Sequence, residues 1–250
     1  MDIELIKKIR QEHGTPIVGV IGATNPSEEY HSEMGIKVGY ELRNFIGYKN
    51  GSIFTGGVEG VGIDTYIGVM RNCMEHSRLI STEGEHLGFD DRFFILVPQS
   101  EQGVMPSMNF LSSQIKRTPT QQVAYIPPGE YLGLGSLSSK GQLNIVRAGQ
   151  HMGERREYVA GVADALIVVN GGLGTLDEAI NAAILDVPLI ALSNSGGAAT
   201  TVATIKEGAV SASLKSKLGK HSLNIDQINP DKIYVCEDAS ELLSILDKLF

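Results

Sequence analysis

Two side chains stand out for the chemistry they could share, Arg155 and Glu178, because a glycine-rich run lies between them: Asn170-Gly171-Gly172-Leu173-Gly174-Thr175. The run joins an apolar stretch, Ala165 to Val169, to a helical pattern. A strand that enters a helix through such a turn leaves the first helical amides without intrahelical partners, and their dipoles point at whatever anion sits there. Gly171, Gly172 and Gly174 let the backbone approach a phosphate, and Thr175 can cap the helix or bond a phosphate oxygen. Glu178 follows about one turn later, on the ligand side rather than the core side. A carboxylate beside an anion site needs a reason to be there, and stabilising positive charge on a reacting group is one. Upstream, Met152-Gly153-Glu154-Arg155-Arg156-Glu157 opens a helix in which Arg155, Tyr158, Val159 and Val162 share a face. Arg155 is thus expected to point inward as a planar fork for phosphate, and Arg156, about 100° around the helix, to face elsewhere.

Two further loops have the same character. Thr55-Gly56-Gly57-Val58-Glu59-Gly60-Val61-Gly62 follows an apolar run and precedes a helix, so Gly56, Gly57 and Gly60 are expected to form a second wall. Gly22-Ala23-Thr24-Asn25-Pro26-Ser27 ends the first apolar run and offers Gly22 and Thr24. Neither is a P-loop, since no Gly-Lys-Ser/Thr follows the glycines, which argues against ATP hydrolysis. The histidines at 13, 31, 76, 86, 151 and 221 lack metal-ligand spacing, so no metal is expected. The Gly-x-Ser-x-Gly elbow of a serine hydrolase is missing. No lysine sits in or beside the glycine loops to form a pyridoxal phosphate Schiff base, so no organic cofactor is expected either.

These loops need elements to position them. Ile17 to Ile21, Ser52 to Thr55, Phe93 to Val97, Val123 to Ile126, Ala165 to Val169, Leu189 to Leu192 and Ile233 to Cys236 are apolar runs without alternation. Helical patterns lie between several of them, around Glu33 to Phe45 and Val61 to His76, for example. Such runs suit strands buried on both faces, which predicts an α/β, Rossmann-like, doubly wound and mostly parallel sheet with helices on both faces. Ligands of such sheets bind at the carboxyl ends of the strands. After the main turn, Leu176, Ile180, Ile184 and Val187 form the apolar stripe, and Pro188 is expected to stop the helix. Residues 98–150 break periodicity with Pro106, Pro119, Pro127 and Pro128, and read as an insertion or lid within one domain spanning 1–250. Gly133-Leu134-Gly135-Ser136 lacks the strand-to-helix context of a dinucleotide fingerprint.

Composition narrows the partners. Lys and Arg total 21 against 29 Asp and Glu, a net charge of −8, so the overall positive charge that nucleic-acid binding exploits is missing. An anionic ligand would need a local basic pocket. Cys73 and Cys236 stand far apart without metal spacing, which suits a reduced cytosolic protein. Met1 to Arg10 mixes charges with Leu5, Ile6 and Ile9, unlike a signal peptide, and no run reaches the roughly 18 apolar residues of a spanning helix. The expectation is a cytoplasmic protein with no membrane partner.

The segment from Met152 to Glu178 resembles the paired signature of the Lonely Guy (LOG) family of cytokinin-activating phosphoribohydrolases, long mislabelled lysine decarboxylases. Arg155-Arg156, Ala163-Asp164-Ala165 and Gly171-Gly172-Leu173-Gly174-Thr175 to Glu178 match it without a gap, and Thr55 to Gly62 resembles its earlier glycine loop. Asn170 stands where that family has Pro, Gly153 where it commonly has His, and Arg156 where it has Lys. The resemblance implies catalytic positions at Arg155 and Glu178, and nucleotide binding by the glycine loops and Arg156. It further implies hydrolysis of the N-glycosidic bond of a nucleoside 5′-monophosphate, and a homodimer or larger assembly. The wider SLOG group, which shares the fold, also contains proteins that sense nucleotides, and a non-catalytic nucleotide-binding module is the alternative.

Overall fold

The computed structural model describes residues 1–56, 59–80, 92–100, 103–106, 123–126, 144–221 and 223–250. Among them, the strands are β1 (Ile17–Gly22), β2 (Ser52–Thr55), β3 (Phe93–Val97), β4 (Gly103–Pro106), β5 (Val123–Ile126), β6 (Asn144–Arg147), β7 (Ala165–Val169), β8 (Leu189–Leu192) and β9 (Ile233–Cys236). The helices are α1 (Ile3–His13), α2 (Ser32–Lys49), α3 (Val61–Ile80), α4 (Met152–Val162), α5 (Leu173–Ile184), α6 (Gly197–Lys206), α7 (Ala212–Gly219) and α8 (Leu242–Leu249). Seven strands form one sheet in the order β6-β3-β2-β1-β7-β8-β9, every pair parallel, while β4 and β5 pair antiparallel on their own.

Strand parity explains the layers. Ile17 and Ile21 of β1 and Leu166 and Val168 of β7 pack with α1, α4, α5 and α6 through Ile9, Val159, Leu176 and Val202. The alternate residues Val18, Val20, Ile167 and Val169 pack with α2, α3 and α8 through Leu42, Ile67 and Leu246. Both faces of each strand are therefore buried, which is why these segments read as unbroken apolar runs. Helices α2 and α3 cross very closely. A Cβ on Gly39 would lie 1.8 Å from the Thr65 carbonyl oxygen, and one on Gly68 would lie 1.8 Å from that of Ile36.

The order of strands places the site. From β1 the chain builds outward through β2, β3 and β6, and then from β7 it builds the other way through β8 and β9. Gly22 and Val169 are register partners at the seam, so the loops leaving β1 and β7 diverge and open a crevice between them. The entry side of the seam is fastened by Asp164: its Oδ2 accepts from Ile17 N at 2.8 Å and its Oδ1 from Arg10 Nη2 at 2.7 Å.

Two boundaries differ from expectation. β6 lies inside the span read as an insertion; only Ile145 and Val146 are aliphatic there, too short a run to register. Helix α5 stops at Ile184, before Pro188, because Asp186 takes a left-handed φ of 61° and Val187 N turns back to the Ala182 oxygen at 3.0 Å. Residues 133–136 lie outside the described residues.

Candidate nucleotide-binding cleft

The glycine turn after β7 is polarised. Its carbonyls face one way: the oxygens of Asn170 and Gly171 accept from Ala199 N at 3.1 Å and Ala198 N at 2.7 Å, capping the start of α6. On the other side α5 begins at Leu173 with Gly172 as its N-cap, and among the described residues no side chain caps it. Its first amides therefore face the cleft with the positive end of the helix dipole behind them, about half an elementary charge. Gly171 has φ 100°, and a Cβ there would lie 2.5 Å from the Thr175 side chain, so the tight turn requires glycine.

Glu178 and Arg155 meet beneath this turn. Arg155, 4% exposed, projects from α4; its Nη1 donates to Glu178 Oε1 and its Nε to the Leu96 carbonyl at the end of β3, at 2.9 Å. Glu178 is 5% exposed. Burial pushes its carboxyl above the ordinary glutamate range, the Arg155 guanidinium opposes that shift, Arg156 opposes it more weakly, and Asp177 adds to it. Removing one partner of so buried a pair would cost about 3–5 kcal/mol, because the other charge is left uncompensated.

Arg156 also comes to the cleft. Its Nη1 donates to Asp177 Oδ2 at 2.8 Å, and its Nη2 lies 2.9 Å from where a Gly174 Cβ would stand. Among the described residues, the buried Nε of Arg156 has no hydrogen-bond partner. A guanidinium held against the positive end of a helix is electrostatically unfavourable unless an anion lies between them. Asp177 supplies part of that charge in the free protein.

The cleft itself has a volume of about 370 Å³. One wall is the loop after β1, Gly22 to Asn25; another is Gly56 and Gly62; the third is Met152, Arg155 and Arg156; Gly172, Gly174, Thr175 and Glu178 complete it. Of the residues singled out from sequence, Gly22, Thr24, Gly56, Arg155, Arg156, Gly172, Gly174, Thr175 and Glu178 thus share one cavity. Gly171 and Gly60 are placed differently. Gly171 turns toward α6, and Gly60, with φ 79°, packs where a Cβ would be 2.3 Å from the Ala23 oxygen. It brings the second glycine loop onto the first, with Val61 N donating to the Ala23 oxygen at 3.1 Å. Gly57 lies outside the described residues.

No protein-family model matches the chain, and no curated protein does. Solved structures do. The chain has a TM-score of 0.52 to the X-ray structure of TM1055, at 17% identity over 94% of this chain and 99% of that one. It scores 0.47 at 15% identity against the molybdenum cofactor carrier protein of Chlamydomonas reinhardtii, over 94% and 98% of the two chains. The molybdenum cofactor binding protein of the phototrophic bacterium Rippkaea orientalis gives the same values. The shared feature with TM1055 is the fold. This chain is a Rossmann-like α/β protein.

Sequence reasoning passed over several residues of this fold's crevice. Val20 and Ile21 line it, and as members of an apolar strand they read only as core; Ala23, Asn25, Gly62 and Met152 line it as parts of the runs already singled out. Asn170 is buried at 1% exposure behind the turn. Its polar side chain at the end of an all-apolar strand is the mark that was there to read. Among the described residues, no helix is long and apolar enough to cross a membrane.

Proposed function

We propose that the cleft binds a nucleoside 5′-monophosphate and that the protein hydrolyses its N-glycosidic bond to free base and ribose 5-phosphate. The observation that carries this reading is the convergence of Glu178 and Arg155 beneath a turn whose uncapped amides and Arg156 offer an anion seat. Departure of the base leaves positive charge on the ribose ring. A carboxylate held nearby stabilises that charge and orients a water for attack. Arg155 orients Glu178, and the phosphate seat converts remote binding energy into placement of the anomeric carbon. The reaction as written calls for no metal or organic cofactor.

Glu178→Gln keeps the side chain's shape and removes its charge. Loss of base release from a susceptible monophosphate on the order of a hundredfold or more is expected, measured below the melting temperature that the uncompensated Arg155 lowers, where circular dichroism still shows the folded protein; equal rates for variant and parent would overturn the assignment.

The near-complete burial of Glu178 and its pairing with Arg155 favour a second reading, in which the cleft retains intact nucleotide and the protein acts as a non-catalytic sensor. Calorimetry showing tight binding with no product by chromatography would select it.

A further inference from the structure

Asn170 sits where β7 gives way to the glycine turn, with φ 52°, and every polar group it carries is engaged. Its backbone N donates to Ser195 Oγ at 2.7 Å, and its side-chain Nδ2 donates both to Ser27 Oγ at 2.7 Å and to the Ser195 carbonyl at 2.5 Å. Its Oδ1 accepts from Ser27 N at 3.2 Å. Ser195 Oγ donates in turn to the Leu192 carbonyl at 2.6 Å, and Ser27 Oγ to Glu29 Oε2. One side chain therefore ties the turn after β7 to the loop after β1 and the loop after β8.

The loop after β1 is a wall of the cleft. Gly22, Ala23, Thr24 and Asn25 line it, and Ser27 is two residues further along. We infer that Asn170 is a positioning residue for ligand binding: its carboxamide holds the Gly22 to Asn25 wall at a fixed distance from the phosphate seat and Glu178. This rests on the nucleotide reading of the cleft. The chemistry selects an amide. The position needs a group that accepts from one N–H and donates two hydrogens to two oxygens, which a carboxamide does and a carboxylate cannot. It also needs a residue that tolerates φ above zero, as Asn does better than most.

The clamp and the nucleotide reading can be tested apart. Asn170→Gly keeps the left-handed backbone and deletes the carboxamide; Ser27→Ala, a milder change, removes one of its acceptors. In the ligand-free protein, Asn170→Gly is expected to raise exchange of the amides between 23 and 27 (Pro26 has none) about tenfold or more, with the amides of β7 and of α5 beyond its first turn unchanged. With AMP as probe, its affinity falls about tenfold, and in turnover KM rises more than kcat falls. Ser27→Ala gives a smaller effect in the same direction, and the double variant is no worse than Asn170→Gly alone, because both act through one knot. Unchanged exchange at 23–27, or a loosened loop with AMP affinity intact, would overturn the proposal; so would additive effects of the two substitutions. If the parent protein binds no AMP, the nucleotide reading fails, and the exchange result alone then decides whether Asn170 orders the wall.

Discussion

Charge placement at single residues decides what the cleft can hold. Arg155 is spent on Glu178 and the Leu96 carbonyl, whereas among the described residues Arg156 is held by Asp177 and keeps a buried Nε without a partner. Under the proposed function, that division gives orientation of the carboxylate to the first arginine and anion contact to the second. A different carboxylate, Asp64 on α3, governs pH dependence near the same loops. Tyr30 Oη donates to its Oδ2 at 2.8 Å, joining the loop after β1 to α3. Burial raises the Asp64 carboxyl above its ordinary range; the hydrogen bonds from Tyr30 and then Ser32 oppose this, and Glu33 adds to it. A carboxyl whose folded value is raised favours the native state while it stays protonated. Its contribution is fully present below the unfolded aspartate value and is lost as pH rises through the folded one. Asp64→Asn keeps an acceptor for Tyr30 and cannot ionise. Its urea midpoint relative to the parent is therefore expected to shift in the variant's favour between pH 4 and pH 7; a constant difference would show that Asp64 does not titrate as described.

At the scale of elements, the close crossing of α2 and α3 fixes how those two helices pack. Gly39→Ala would gain roughly 0.5–1 kcal/mol of helix propensity. It would also drive a methyl into a backbone carbonyl at 1.8 Å, which cannot rotate away as a side chain would. Overpacking costs about 1–3 kcal/mol even against side chains, so the net effect is destabilising. A thermal melt should show a drop of several degrees for Gly39→Ala and for Gly68→Ala. Most elements could be read from residues alone, for a physical reason: strands buried on both faces leave short, β-branched apolar runs such as Ala165 to Val169, ended by a glycine turn and too short for a helix. β6 could not. Its Arg147 is buried at 2% exposure and donates to the Pro98 carbonyl at 2.7 Å, so a charged residue belongs to the core through a contact made only in three dimensions. The cleft was legible in the same measure. Glycine spacing and the Arg155 and Glu178 pair marked its floor and its amides, but the inward turn of Arg156 depends on Asp177, and the role of Asn170 depends on two distant serines.

For the molecule as a whole, the crevice opens at the seam between β1 and β7. A nucleotide in the cleft would touch loops from both directions of the sheet, and binding to the native state alone stabilises it by about 2.7 kcal/mol at a hundred times Kd. For a chain of this size that corresponds to a rise in Tm of about 5–10 °C. Scanning calorimetry with AMP should show it; no rise at saturating AMP would argue against the cleft as the binding site. The net charge of −8 sharpens the expectation that a small anion, met by Arg156 and the first amides of α5, is preferred to a polyanion.

The same seam makes the chain divisible. Gly149 and Gln150 form an accessible turn between β6 and α4, and a cut there leaves Gly22, Thr24 and Gly56 on one fragment and Arg155, Arg156, Gly174 and Glu178 on the other. Neither fragment holds a whole cleft, so co-expressed halves should reassociate more tightly when nucleotide is supplied. Reporter proteins fused to the cut ends would turn that reunion into a light signal, and a signal indifferent to nucleotide would mean that the two halves recognise each other through the sheet alone.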